Sequence, residues 1–263
     1  MMMAGKTVLV TGGGTGIGEA VARDVVAEGG RVVITGRRAD AIEAVAADLG
    51  DAALAVAADA GSKADMERVV AAARQRFSPI DAVVACAGVM GATAVADTSD
   101  EEWMRVMHGN LTTMFVTARA ALPSLIERRG AFVAVSSVAA ITPVPHSCGY
   151  TTSKHAMIGL AKSMAVDYGP HGVRVNVVCP GWVKTPMADG HMSLVIDKRN
   201  CSVDEAYDYV SSDVPLRRAA TPAEIAAICT FLSSARSSAM TGSIITADGG
   251  TTIICAPMLK VID

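Results

Sequence analysis

The stretch VLVTGGGTGIGEAVA, residues 8–22, joins a run of apolar residues to a glycine-rich turn and then to a pattern of helical spacing. A short apolar run rich in β-branched residues is typical of a strand that is buried on both faces. Three glycines, Gly12, Gly16 and Gly18, lie at the junction. Glycine allows a tight turn and lets backbone N–H groups approach a ligand closely. The stretch therefore predicts a strand–turn–helix unit whose turn can bind a ligand.

The same alternation of apolar runs and helical segments continues along the chain. The predicted strands are residues 6–11, 31–35, 53–58, 81–86, 131–136, 174–179 and 243–247. Strands that alternate with helices favour a parallel sheet with helices on both faces, and right-handed crossovers make it doubly wound. The sequence thus predicts an α/β fold, a single Rossmann-type domain over residues 1–263 with about seven mostly parallel strands.

One segment interrupts this rhythm. Residues 186–215 form a long polar and helical insertion after the sixth predicted strand. Such insertions are often lids or substrate-binding loops, and the alternative is a surface segment without a role in binding.

Composition excludes several classes of protein. The chain has 263 residues, 51% hydrophobic and 19% charged, which indicates a packed globular protein. The net charge of -3 gives no basic surface for nucleic acid. No apolar run approaches the ~20 residues that cross a bilayer, and the N-terminal stretch is too short for a secretory signal. We therefore expect a cytoplasmic protein that binds neither nucleic acid nor membrane.

The cysteines show no metal-binding or disulfide pattern. They are Cys86, Cys148, Cys179, Cys201, Cys229 and Cys255, without a CxxC pair. Free thiols in a reducing compartment are expected, and no metal site is predicted.

The glycine turn is suited to a pyrophosphate. Behind Gly12, Gly16 and Gly18 a helix begins, and its N-terminus offers unpaired N–H groups and a positive dipole end. Glycine-rich strings also occur in ordinary tight turns, but here the string lies in the strand–turn–helix context that dinucleotide binding requires.

The residues after the second and third strands are candidates for binding the adenosine end of a dinucleotide. Gly36 is followed by Arg37 and Arg38, where an NAD-specific fold carries a carboxylate. A guanidinium donates a planar fork to phosphate oxygens, so NADP is favoured over NAD, unless the two arginines are only solvated surface residues. Asp59 either accepts from the adenine amino group or caps the helix that starts near Ser62.

A second candidate site lies in CGYTTSKH, residues 148–155. Tyr150 and Lys154 are four residues apart and share a helical face. A phenol titrates near ~10, and a fixed ammonium nearby lowers that pKa, which makes the phenol a plausible proton donor and acceptor. Ser137, at the end of the fifth strand, faces the same crevice and is suited to bind a substrate carbonyl.

Together these features resemble the short-chain dehydrogenase/reductase family over about residues 5–251. TGGGTGIG is similar to the family's TGxxxGxG motif, and Ser137 with YTTSK is similar to its Ser and YxxxK motif. NVVCPGWVKT, with Asn176, Pro180, Gly181 and Thr185, resembles the family's N-x-x-x-PG-x-x-x-T segment. Asn110 in HGNLTTMF resembles the asparagine of its fourth helix.

The resemblance implies roles for these residues. Tyr150 would be the general acid/base, Lys154 would lower its pKa and hold the nicotinamide ribose, and Ser137 would bind the substrate oxygen. Asn110 would keep a water that links Lys154 to solvent. The residues implied to line the cofactor are Gly12, Thr15, Gly16, Ile17, Gly18, Ala87, Gly88, Pro180, Gly181, Val183 and Thr185. Thr15 stands where many NADP-specific relatives carry a basic residue. Family members often pair the helices around residues 100–125 and 150–168, so a homo-tetramer is expected.

One departure from the family pattern stands after the fourth strand. The family usually has Asn-Asn-Ala-Gly, whereas this chain has Ala85, Cys86, Ala87 and Gly88. The missing amides are expected to alter the support of the sheet or the adenosine side of the cleft without removing activity.

The expected activity is hydride transfer between NADP or NAD and a small apolar secondary alcohol or ketone. Two other functions remain open: a non-catalytic nucleotide sensor on the same fold, and a nucleotide-sugar epimerase on a related one. The sensor would not need the four polar residues together, and the epimerase usually carries a larger substrate domain. The apolar residues expected near the substrate are Val89, Met90, Ala139, Ile141, Trp182 and Met187.

Overall fold

A seven-stranded parallel sheet forms the centre of the computed structural model, which describes residues 1–254. The strand order is β3-β2-β1-β4-β5-β6-β7, and every neighbouring pair is parallel. The strands are β1 Thr7–Thr11, β2 Arg31–Gly36, β3 Ala53–Ala57, β4 Ala82–Ala85, β5 Ala131–Val135, β6 Arg174–Pro180 and β7 Ile244–Ala247. The predicted doubly wound α/β fold is confirmed, with all seven predicted strands in place to within one or two residues.

Helices cover both faces of this sheet. They are α1 Gly16–Ala27, α2 Ala39–Leu49, α3 Lys63–Arg76, α4 Asp100–Met107, α5 Thr113–Arg128, α6 Cys148–Tyr168, α7 Pro186–Arg199, α8 Val203–Val210 and α9 Pro222–Ser233. The core on one face is built with α3, α5 and α6, and the core on the other face with α1, α2 and α9. In β1, Leu9 packs into the first core and Val8 and Val10 into the second. Burial on both faces explains why the strands read as continuous apolar runs.

The order of the strands reverses between β1 and β4. In an open α/β sheet the crevice at the carboxyl ends of two such strands is the place where ligands bind. Here the loops after β1 and β4 touch: the backbone N–H of Ala87 donates to Thr11 Oγ1 at 3.1 Å. A Cβ atom on Gly12 would lie 3.0 Å from the same backbone nitrogen. The glycine turn is therefore held at the centre of the crevice.

The long helix expected around residues 100–125 is interrupted. A π-helical turn, His108–Thr112, lies between α4 and α5. Such turns insert one extra residue and are frequent at functional sites. This one carries the fully buried side chain of Asn110.

The insertion of residues 186–215 contains α7 and α8, which pack on each other through a small separate core. Its members include Met192, Ala206 and Tyr207. The five cysteines within residues 1–254 are free thiols, and Cys255 lies outside the described residues. Across residues 1–254, no helix has the length and apolar character needed to span a membrane.

Candidate active site

The glycine turn is a cradle that side chains would fill. A Cβ atom on Gly18 would lie 2.3 Å from the carbonyl oxygen of Gly12, closer than real contacts allow. Gly12 and Gly16 have φ values of +66° and +59°, in the left-handed region that glycine adopts without strain. Helix α1 begins at Gly16, so its free N–H groups face the space above the turn. This geometry fits the pyrophosphate of a dinucleotide.

A cleft of about 910 Å³ runs from this turn to Tyr150. It is lined by all but one of the residues predicted to act in catalysis or to bind the cofactor: Gly12, Thr15, Gly16, Ile17, Gly18, Arg37, Asp59, Ala87, Gly88, Ser137, Tyr150, Lys154, Pro180, Gly181, Val183 and Thr185. Only Asn110 lies behind the wall. The fold thus brings into one cleft residues that are spread over about 170 positions of the chain.

The adenosine end of the cleft is basic. Arg37 and Arg38 are both exposed at its edge, and Arg38 Nη2 donates to Thr15 Oγ1 at 3.3 Å. Arg37 forms no hydrogen bond with any of residues 1–254, so its guanidinium is available to a ligand.

Asp59 does not cap the next helix. Ser62 is the N-cap of α3, and its hydroxyl accepts from the N–H of Asp65 at 3.3 Å. Asp59 instead accepts from the N–H of Gly61 at 2.9 Å, which turns the loop at the edge of the cleft. Of the two roles left open for Asp59, the capping role is therefore wrong.

At the other end of the cleft three polar side chains meet. The hydroxyl of Ser137 lies close to the phenol of Tyr150 and accepts from the N–H of Ala139 at 3.1 Å. Lys154 Nζ lies 5.5 Å from the centroid of the Tyr150 ring and donates to the carbonyl oxygen of Val135 at 3.3 Å. Because Tyr150 and Lys154 are one helical turn apart on α6, both face the end of β5, where Ser137 begins the next turn.

Burial shifts the pKa values of both Lys154 and Tyr150. It lowers the pKa of Lys154 from 10.5 to about 8, since desolvation disfavours the ammonium. Burial also raises the pKa of Tyr150, and the nearby hydroxyl of Ser137 offsets only part of that rise. The expectation that Lys154 lowers the pKa of Tyr150 does not describe this geometry, because the ammonium is turned to the carbonyl oxygen of Val135 and not to the phenol oxygen.

Asn110 supports the site from behind. Its Oδ1 accepts from the N–H of Val89 at 2.8 Å, and its Nδ2 donates to the carbonyl oxygen of Val89 at 3.0 Å. Nδ2 also donates to Ser153 Oγ at 3.0 Å. The buried amide thereby ties the loop after β4 to helix α6.

Two thiols stand near Lys154. Burial raises the pKa of Cys86 to about 12 and that of Cys179 to about 11, so both remain neutral near pH 7. Cys86, which lies in the cleft wall, occupies the position where the sequence predicted a missing amide. The contact between Thr11 and Ala87 is one direct support that the loop retains.

The substrate end is mostly apolar. Val89, Met90, Ala139, Trp182 and Met187 line the cleft as expected. Ile141 does not line it: its side chain points outward and is 40% exposed.

Sequence reasoning missed further lining residues, among them Val144, Ser147 and His191. For His191 a signal was available, since it follows Met187 by four residues within a helical insertion and such residues share a face.

Comparisons with known proteins agree with this geometry. The family model described as Enoyl-(Acyl carrier protein) reductase matches residues 12–252. The chain is 44% identical over 257 residues to Protein MoaE of Klebsiella aerogenes, covering 97% of this chain and 98% of that one. It is 34% identical over 253 residues to meso-2,3-butanediol dehydrogenase of Serratia marcescens, covering 96% of each.

A solved structure of actinorhodin polyketide ketoreductase with NADPH superposes with a TM-score of 0.88 at 32% identity, covering 95% of this chain and 98% of that one. The solved relative thus shares the fold of this chain, and each of the three relatives is matched over nearly its whole length. The chain belongs to the short-chain dehydrogenase/reductase family of oxidoreductases.

Proposed function

We propose that the protein interconverts a secondary alcohol and a ketone by NAD(P)-dependent hydride transfer, with Tyr150 as the general acid/base. The observation that carries this proposal is the placement of Tyr150 and Ser137 beside each other in the same cleft as the glycine turn. A substrate oxygen between these two hydroxyl groups would accept one hydrogen bond from each. The named relatives include one dehydrogenase and one ketoreductase, which supports the reaction class.

The chain's own residues supply position and protons. The backbone around Gly12, Gly16 and Gly18 would hold the pyrophosphate, and Lys154 would hold the nicotinamide ribose. The bound nicotinamide supplies the hydride chemistry. Ser137 orients the substrate oxygen, and Tyr150 gives that oxygen a proton in the reductive direction and removes it in the oxidative direction. A water kept by Asn110 would link Lys154 to solvent as a proton relay.

NADP is the preferred cofactor in this proposal, with NAD as the weaker alternative. Arg37 is free to contact a 2′-phosphate, and a charge-assisted Arg–phosphate bond is stronger than a neutral one. The relative solved with NADPH agrees with this choice. Because Thr15 is uncharged and cannot add a second charged contact to the 2′-phosphate, we expect only a moderate preference for NADP over NAD.

The test is oxidation of a panel of secondary alcohols, from short-chain to cyclic, with NADP and NAD, measured as nucleotide absorbance. Turnover that depends on Tyr150 supports the proposal. Tight nucleotide binding with no turnover of any alcohol or ketone would favour a nucleotide sensor instead.

We also propose a homo-tetramer. Helices α4, α5 and α6 expose the large apolar side chains of Met104, Phe115 and Val166 at 62%, 45% and 75%. Such exposed apolar surface is typical of a protein interface. Light scattering coupled to size exclusion measures the mass directly.

A further inference from the structure

Helix α7 is fixed in its rotation about its own axis. Met192 is buried between α7 and α8, and Asp189 accepts a hydrogen bond of 2.8 Å from the hydroxyl of the buried Tyr207. The start of the helix is fixed as well, because Thr185 caps it by accepting from the N–H of Ala188 at 3.3 Å. The face that remains carries Met187 and His191, and both line the cleft.

His191 is a polar residue in the mostly apolar substrate end of the cleft. The same cleft is lined by the apolar side chains of Val144, Trp182 and Met187, and by the hydroxyl groups of Ser137 and Tyr150, which are proposed to hold the reacting oxygen. The imidazole is partly buried and forms no hydrogen bond or ion pair with any of residues 1–254. A ring that can donate and accept hydrogen bonds is thus turned to the substrate space without a protein partner.

The charges around α7 disfavour an anionic ligand. Residues 184–213 contain six acidic and three basic side chains, and Asp189 stands two residues before His191. This excess of negative charge repels a carboxylate or phosphate on a substrate. A neutral oxygen, by contrast, can exchange a hydrogen bond with either state of the imidazole.

We propose that His191 binds a second, uncharged oxygen of the substrate, so that the preferred substrates are diols, hydroxyketones or diketones and not simple mono-alcohols. This inference rests on the proposed function and narrows its substrate class. One oxygen is placed between Ser137 and Tyr150 and reacts. The other is held by His191 across an apolar stretch, and its hydrogen bond fixes the orientation of the substrate.

The experiment compares cyclohexanol with the cyclohexane-1,2-, -1,3- and -1,4-diols as substrates of the full-length protein. The variants are His191→Leu, which removes hydrogen bonding, and His191→Gln, which retains it. The control is His171→Leu, an exposed histidine outside the cleft. Thermal unfolding of each variant shows whether the fold is kept.

We expect the wild type to prefer at least one diol over cyclohexanol. His191→Leu should lower kcat/KM for that diol by about tenfold, mainly through KM, and change the value for cyclohexanol by less than about twofold. His191→Gln should retain most of the diol activity, and His171→Leu all of it.

Other outcomes overturn the inference in separable ways. If kcat/KM of the wild type for cyclohexanol equals its value for every diol, the inference is wrong and the proposed function stands. The same conclusion follows if His191→Leu lowers kcat/KM for the diol and for cyclohexanol equally. If 3-hydroxycyclohexanecarboxylate is the preferred substrate and His191→Leu removes that preference, the ligand is an anion and the neutral class is wrong. If no alcohol or ketone turns over, the proposed function and the inference fail together.

Discussion

The side-chain amide of Asn110 donates a hydrogen bond of 3.0 Å to the hydroxyl of Ser153. The same hydroxyl donates to the carbonyl oxygen of Tyr150 at 2.8 Å. On the other side of α6, Ser136 Oγ donates to the carbonyl oxygen of Lys154 at 3.1 Å. The turn of α6 that carries the tyrosine and the lysine is therefore held from two sides by buried side chains.

Ser153→Ala should loosen this turn. We expect a loss of about 1–3 kcal/mol in the free energy of unfolding, because the Asn110 amide loses a buried partner. We also expect kcat to fall several-fold with little change in nucleotide affinity. Denaturant unfolding and steady-state kinetics measure both. The matched control is Ser163→Ala, an exposed serine on the same helix, which should change neither quantity; equal effects of the two variants would contradict a positioning role.

Tyr150→Phe removes the phenol oxygen and keeps the ring. We expect kcat to fall at least ~10²-fold, the lower range for general acid–base catalysis, while the dissociation constant of the nucleotide changes little. Kinetics and nucleotide titration by fluorescence give the two values. Near-normal turnover by this variant would remove Tyr150 from the mechanism.

Lys154→Met should make stability less dependent on pH. The pKa of Lys154 is 10.5 in an unfolded chain and about 8 in the fold, so the unfolded state binds more protons between these pH values. The free energy of unfolding is therefore unaffected by this group above pH 10.5, and it decreases as the pH falls from 10.5 to about 8. The loss corresponds to on the order of 3 kcal/mol.

At pH 7 the methionine variant should thus unfold at a higher temperature than the wild type, and the difference should vanish near pH 10.5. Its activity should nevertheless be lower, because the nicotinamide ribose would lose the partner proposed for it. A difference in melting temperature that is constant between pH 7 and 10.5 would show that the ammonium is not desolvated.

Arg37→Ala tests the choice of cofactor. Loss of one charge-assisted contact should lower kcat/KM for NADP by one to two powers of ten and leave kcat/KM for NAD nearly unchanged. The measurement is kcat/KM for each nucleotide, with Lys198→Ala as a control for the loss of a surface charge. A parent enzyme that prefers NAD tenfold, or equal losses of kcat/KM for both nucleotides, would show that the Arg37 guanidinium does not contact the 2′-phosphate.

Gly18→Ala should disrupt the cradle. The added Cβ would lie 2.3 Å from the carbonyl oxygen of Gly12, and backbone cannot move aside as a flexible side chain can. We expect nucleotide binding to be lost. Gly159→Ala, in α6 with no atom within 4 Å of the added Cβ, should instead raise the free energy of unfolding by about 0.5–1 kcal/mol. Isothermal titration and denaturant unfolding compare the two; an unchanged nucleotide affinity in Gly18→Ala would contradict the assigned cradle.

The sequence by itself determined the features that depend on local spacing. Buried apolar runs separated by helical segments specify the parallel sheet, the glycines of residues 12–18 specify the turn, and an interval of four residues places Tyr150 and Lys154 on one helical face. Each of these follows from the period of a strand or a helix, which neighbouring residues carry.

Only the tertiary structure decided the rest. The π turn at Asn110, the contact of Ser153 with a residue 43 positions away, and the rotation of α7 that turns His191 into the cleft depend on which distant side chains fill the same space. The direction of the Tyr150 pKa has the same origin, since it depends on how deeply the fold buries the phenol and on where the Lys154 ammonium finds its hydrogen bond. Local periodicity does not encode these quantities, because burial and direction of contact arise only when segments far apart in the chain pack together.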